Sequence, residues 1–132
     1  MMEEQDLQLA KVLNALTYKI HSDNVKVGWY KEVEGVDKES KFVKLFVGSK
    51  IALIHSEVSE ALEGYRKGLN DDHLPSRKMV EVELADTLIR IFDLAGYLEL
   101  DLGGAVMEKL KYNSNRADHK LENREKQNGK SF

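Results

Sequence analysis

The stretch VGSKIALIHSEVSEALEGYRK, residues 47–67, sets both the fold and the functional question. Val47, Ile51, Ile54, Val58, Ala61 and Tyr65 recur at spacings of four and three, which predicts the seam of a bundle helix from about Ser40 to Lys67. The same segment carries Glu57, Glu60 and Glu63. At roughly 100° per residue about a seam centred on Val58, Glu57 falls on its shoulder and Glu60 about 60° further round. Those two carboxylates can converge on one ion, whereas Glu63 falls on the other side and belongs in solvent.

Outward from this helix, the rest of the chain reads as helices too. Leu9, Leu13, Leu16 and Ile20 predict a first helix over 4–20. The period is then lost in HSDNVKVGWYKEVEGVDKES, which reads as a loop up to the second helix. GLNDDHLPSR, with the only proline, is a connection. Leu84, Leu88, Ile91, Ala95 and Leu98 carry a third helix over 77–99, and Asp101 is placed to cap a fourth that runs to about Ala117. Beta-rich runs bounded by turns are missing, so the expected fold is all-α, a four-helix bundle in one domain over 1–117, followed by a polar, basic tail over 118–132.

Composition narrows the function classes. Hydrophobic residues make up 42% and charged residues 33%, as in ordinary helix-rich globular chains. There is no cysteine, which removes disulfides, thiolate zinc sites and a cysteine nucleophile. The opening lacks a basic flank before an apolar run, and no stretch approaches the roughly 20 apolar residues of a membrane span, so a cytoplasmic protein with no membrane partner is expected. The net charge of -3 conceals an acidic body, since residues 1–110 hold 14 basic and 20 acidic side chains. That balance opposes nucleic-acid binding and favours cations, or anions bound through cations.

The third helix supplies the match to Glu57 and Glu60. Its apolar residues cover a wide arc and leave Glu83, Asp86, Arg90, Asp93 and Tyr97 as a narrow polar stripe, which on so apolar a helix faces an internal site. Neighbouring helix axes lie about 8 to 10 Å apart, so inward Glu57, Glu60, Glu83 and Asp86 would repel one another without cations between them. All-oxygen ligands suit Mg²⁺ or Mn²⁺. A di-iron bundle would need Glu-x-x-His, but Tyr18, Ala52, Asn70 and Arg116 stand three residues before the four histidines. The bland alternative is a solvated acidic face on a non-catalytic helical dimerisation or regulatory module. On the fourth helix Lys109, Asn113, Arg116 and Lys120 form one stripe of donors, which beside metal-bound carboxylates suits a polyphosphate. Trp29, Tyr30 and Tyr112 are candidates to stack on a base, although a pair such as Trp29 and Tyr30 more often packs its loop onto the bundle. His55, beside the acids, reads as a structural histidine.

EVSEALE, EVELADTLIRIFDLAG and EKLKYNSNRADH together resemble the MazG-like all-alpha nucleoside triphosphate pyrophosphohydrolases, relatives of dCTP pyrophosphatase, over roughly residues 45 to 117. The resemblance implies a bundle completed by oligomerisation, as homodimer or homotetramer. It implies catalytic metal ligation by Glu57, Glu60, Glu83 and Asp86, with more than one Mg²⁺ per site and Mn²⁺ able to substitute. Phosphate binding by Lys109, Asn113 and Arg116 follows from it, while Trp29 and Tyr112 are the base-binding candidates by residue type and position alone. The reaction implied is hydrolysis of a nucleoside triphosphate at the α-phosphate to monophosphate and pyrophosphate, by an enzyme of phage or bacterial type. A deoxynucleotide is expected, dGTP first among them, with the ribonucleotide GTP also within the range the resemblance implies. Some branches carry a further acid where this chain has Ser56, which bears on the number of ions.

Overall fold

The computed structural model describes residues 2–116 and 121–125. Lys120 and most of the expected tail lie outside the described residues. The chain is all-helical: α1 Glu4–Lys26, α2 Lys41–Lys67, α3 Met79–Tyr97, α4 Leu102–Asn115 and a short α5 Leu121–Arg124, with a 3-10 turn at Lys31–Val33. Among the described residues there is no strand, only an isolated bridge between Asn70 and Lys78. None of these helices is long and apolar enough to cross a membrane.

The helix boundaries follow local chemistry. Ser40 caps α2 by accepting the Val43 N–H on its hydroxyl at 3.2 Å. Gly68 ends it with φ of 63°, a left-handed turn that costs glycine little and returns its N–H to Gly64 and Tyr65 carbonyls. Asp101 caps α4 through the Gly104 N–H at 2.9 Å, as its position implied. Helix α1 corrects the expected loop: it continues past Ile20 to Lys26. The last turns present His21 and Asn24 inward, and polar inner positions hide the period from a count of apolar residues.

Two compact units divide the chain, one of Met1–Ala15 with Asp101–Phe132 and one of Leu16–Leu100. In the first, Gly103 lies so close to the Ala10 carbonyl that any side chain there would strike backbone. Asn14 ties the start of α4 on both sides, donating to Asp101 at 2.8 Å and accepting the Gly103 N–H at 2.8 Å. Helix α4 ends at Asn115, and Arg116 is already extended, two residues short of the expected end.

In the second unit α2 and α3 pack as an antiparallel pair. The pairing runs in opposite senses from Gly64 against Met79, through Glu57 with Arg90 and Lys50 with Asp93, to Phe46 against Tyr97. Tyr30, Val33, Val43 and Tyr97 form the core at the far end from the α2–α3 connection, with the Tyr30 and Tyr97 rings stacked at 4.9 Å.

The seam of α2 is rotated from the expected one. Its inner line is Val43, Val47, Lys50, Ile54, Glu57, Ala61 and Gly64, while Ile51, Val58 and Tyr65 are exposed at 44%, 48% and 73%. Val47, Ile54 and Ala61 belong to both lines, so the apolar pattern alone fits either phase. On α3 the expected polar stripe does face inward, with Glu83, Asp93 and Tyr97 buried and Asp86 and Arg90 half-buried, but the helix spans Met79–Tyr97 rather than 77–99, and Leu84 and Leu88 of the expected apolar line are exposed at 51% and 53%.

Candidate metal centre

The rotation of α2 carries Glu57 from the shoulder to the middle of the α2–α3 interface. Glu57 and Glu83 are 9% and 8% exposed, whereas Glu60 is open to solvent. Each of these three offers a carboxylate oxygen, and the three oxygens lie within 4.8 Å of one another. Asp86, one turn beyond Glu83, is outside that triangle but lines the adjoining cleft with Glu57. Three of the four expected acids thus converge, and the fourth stands at the wall beside them. Glu63 is solvated as expected, paired with Lys67 at 2.6 Å on the outer face of α2.

Crowded carboxyls do not titrate alike. Glu83 is pushed up to about 7, first by burial, then by its hydrogen bond to Glu57 and the charges of Glu60, Glu57 and Asp86. Every charge acting on it is another carboxylate. Burial is the largest single influence on Glu57 and raises it, but the Arg90 hydrogen bond, Glu83 and the Arg90 charge together hold it below the ordinary carboxylate value. Of the two, Glu83 is the carboxyl that holds a proton more readily. Asp86 is raised, by burial first and then by Glu57, with Arg90 acting against both and Asp71 adding to them.

The cleft of about 410 Å³ runs from Glu57 and Asp86 past Arg90 and Lys50 to Asp93, with Trp29 and Asn24 on its rim. That volume suits a small ligand. Another hollow, of about 420 Å³, lies over Ser59, Leu62, Glu63, Arg66 and Lys67 on the outer face of α2, where the one carboxylate is already paired. Trp29 is 65% exposed, while its neighbour Tyr30 is buried and packs the loop onto the helices. Asp93, 5% exposed, receives the Tyr30 hydroxyl at 2.7 Å, meets His21 Nδ1 at 3.1 Å and lies 3.9 Å from Lys50 Nζ. His55, expected to be structural, is exposed instead, because the rotated seam turns its position outward.

Lys109, Asn113 and Arg116 belong to the first unit. Lys109 and Arg116 both stand over the Tyr112 ring, at 4.5 Å and 5.9 Å from its centroid, and the buried Asn113 Oδ1 has no hydrogen-bond partner among the described residues. Arg116 lies past the helix end, so helical spacing does not set its direction.

No family model, curated protein or solved structure matches this chain.

The donor set itself fits a hard divalent ion. Glu57, Glu60 and Glu83 offer oxygen only, and oxygens bound to one Mg²⁺ at about 2.1 Å lie at most about 4.2 Å apart. At most one pair of the three can span that distance and the others must close to about 3.0 Å, so side-chain shifts of up to about 2 Å bring the three oxygens onto one ion. Sequence reading assigned no role to Arg90 or Lys50, the cations on the cleft wall. Arg90 was visible on the polar stripe of α3, four residues after Asp86, but its partner Glu57 is 33 residues away and only the fold joins them.

Proposed function

We propose that this chain is a metal-dependent nucleoside triphosphate pyrophosphohydrolase, cleaving between the α- and β-phosphates to give monophosphate and pyrophosphate. One observation carries the reading: a buried Glu83 whose electrostatic neighbours are all carboxylates, in a triangle of oxygens within 4.8 Å. Such a site is strained when empty and relieved by cations. A bland solvated face, as a regulatory module would have, does not bury two carboxyls against each other.

Glu57, Glu60 and Glu83 would hold Mg²⁺ or Mn²⁺, with Asp86 a ligand from the cleft wall for a further ion. A bound divalent ion would supply charge for the phosphate oxygens and acidify an attacking water. The protein's own groups do the rest. A motif carboxylate accepts the proton of the water that attacks the α-phosphorus. The cleft between Asp86 and Trp29 receives the nucleoside, Lys109, Asn113 and Arg116 contact phosphates as the motif resemblance implies, and Tyr112 is a second candidate for the base. A deoxynucleotide is the proposed substrate, with dGTP the first to try and GTP as its ribonucleotide counterpart.

Homodimeric or homotetrameric association belongs to the same proposal. Val58, Leu62, Leu84 and Leu88 are each about half exposed on α2 and α3, the apolar surface a second copy would cover to complete a four-helix bundle. The test is pyrophosphate release from the eight common ribo- and deoxynucleoside triphosphates with Mg²⁺ or Mn²⁺, with chromatography of the nucleotide product. Monophosphate with pyrophosphate from one of them supports the reading. A folded, metal-supplied protein inert toward all eight counts against it.

A further inference from the structure

Arg90 competes with a divalent ion for the charge of Glu57. Its Nε–H donates to Glu57 Oε1 at 2.8 Å, and Glu57 is one of the three converging carboxylates. A guanidinium and a divalent cation on the same carboxylate repel each other, so each weakens the other's hold on Glu57. Arg90 is built to be the one that moves. Its side chain is 39% exposed against 11% for that of Glu57, it holds Glu57 through Nε alone, and among the described residues its two terminal nitrogens have no partner. Those nitrogens are the fork that binds phosphate oxygens. The cleft they border also contains Lys50.

We propose that Arg90 is the resident counter-ion of the metal-free site and transfers to a polyphosphate when one enters the cleft, so that divalent-cation binding at Glu57 is coupled to anion binding. This rests on the functional reading above and adds to it an order of events. With Arg90 on Glu57, a divalent ion alone binds weakly. When a polyphosphate draws the guanidinium away, Glu57 becomes available as a ligand. By reciprocity of linkage, the metal strengthens anion binding by the same factor. A consequence is that free cellular Mg²⁺ would leave much of the protein unloaded until substrate arrives.

The test measures two binding events in the full chain, wild type against Arg90→Gln and Arg90→Lys, with helicity checked by circular dichroism. Mn²⁺ affinity without nucleotide is followed by the electron paramagnetic resonance of free Mn²⁺, and inorganic tripolyphosphate binding is followed calorimetrically in EDTA. Arg90→Gln should bind Mn²⁺ about tenfold more tightly than wild type and tripolyphosphate about tenfold more weakly, within the usual range of coupling. Arg90→Lys should fall between them on both. Unchanged Mn²⁺ affinity, or weaker Mn²⁺ binding in Arg90→Gln, overturns the proposal while leaving the metal centre standing. Unchanged tripolyphosphate binding also overturns it, since Arg90 would then have no anion to move to. If wild type and Arg90→Gln both fail to bind Mn²⁺, the functional reading falls with it.

Discussion

Replacing Glu83 by Gln should make the metal-free protein more stable at alkaline pH. Glu83 is 8% exposed, and its carboxyl is raised from 4.5 to about 7. At about 1.4 kcal/mol per tenfold change in proton affinity, that rise corresponds to about 3 kcal/mol. Coulomb's law gives the same order, since two unit charges about 5 Å apart at an effective dielectric of about 20 repel by about 3 kcal/mol. The sign follows from linkage. A carboxyl whose folded value lies above its unfolded one contributes stability that is complete below about 4.5 and is lost as pH rises through about 7. Gln cannot ionise and can still donate to Glu57, so the variant escapes the loss. In EDTA the difference should be under about 1 kcal/mol at pH 5 and approach about 3 kcal/mol at pH 8. For a chain of this length that is roughly 10 °C in melting temperature at pH 8. Thermal melts of both proteins across this range are the assay. Parallel pH profiles, or a variant less stable than wild type at pH 8, would refute the claim that burial and the neighbouring carboxylates raise Glu83.

Four further outcomes are expected. Titrating Mn²⁺ calorimetrically at pH 6 in buffers of different ionisation enthalpy should show release of close to one proton per site, falling toward none by pH 8.5, because Glu83 must ionise to act as a ligand. No proton release at pH 6 would remove Glu83 from the ligand set. Glu60→Gln should raise metal-free stability at pH 8 by no more than about 1 kcal/mol, since Glu60 is exposed but its charge is one of those that raise Glu83, yet abolish both the Mg²⁺-dependent rise in melting temperature and turnover. Tyr30→Phe should cost about 2 kcal/mol by denaturant unfolding, because it removes the 2.7 Å hydrogen bond to a buried carboxylate. Gly103→Ala should destabilise by about 1 to 3 kcal/mol or more, because a methyl there meets the Ala10 backbone, which cannot rotate aside.

Much of the fold was legible because it depends on local signals. Asp101 caps α4, Ser40 starts α2, and the polar stripe of α3 faces inward, all readable from residue type and spacing. The phase of α2 was not, and the reason is chemical. Its true inner line includes Lys50, Glu57 and Gly64, which a count of apolar residues ignores, whereas Ile51, Val58 and Tyr65 are apolar and lie outside. The conflict falls where function is proposed, as expected when a site is built into an interface that packing alone would have filled with apolar side chains. Glu57 and Glu83 were named from spacing, but only the fold shows Arg90 on Glu57 and Tyr30 on Asp93, since those partners lie 33 and 63 residues apart.

The central claim concerns which phosphorus is attacked, and isotope labelling tests it most directly. Wild-type protein with Mg²⁺ and the eight triphosphates in ¹⁸O-water should yield one labelled nucleoside monophosphate and unlabelled pyrophosphate, because the attacking oxygen joins the α-phosphorus. Label in pyrophosphate or orthophosphate, or no product from any triphosphate, would contradict the account.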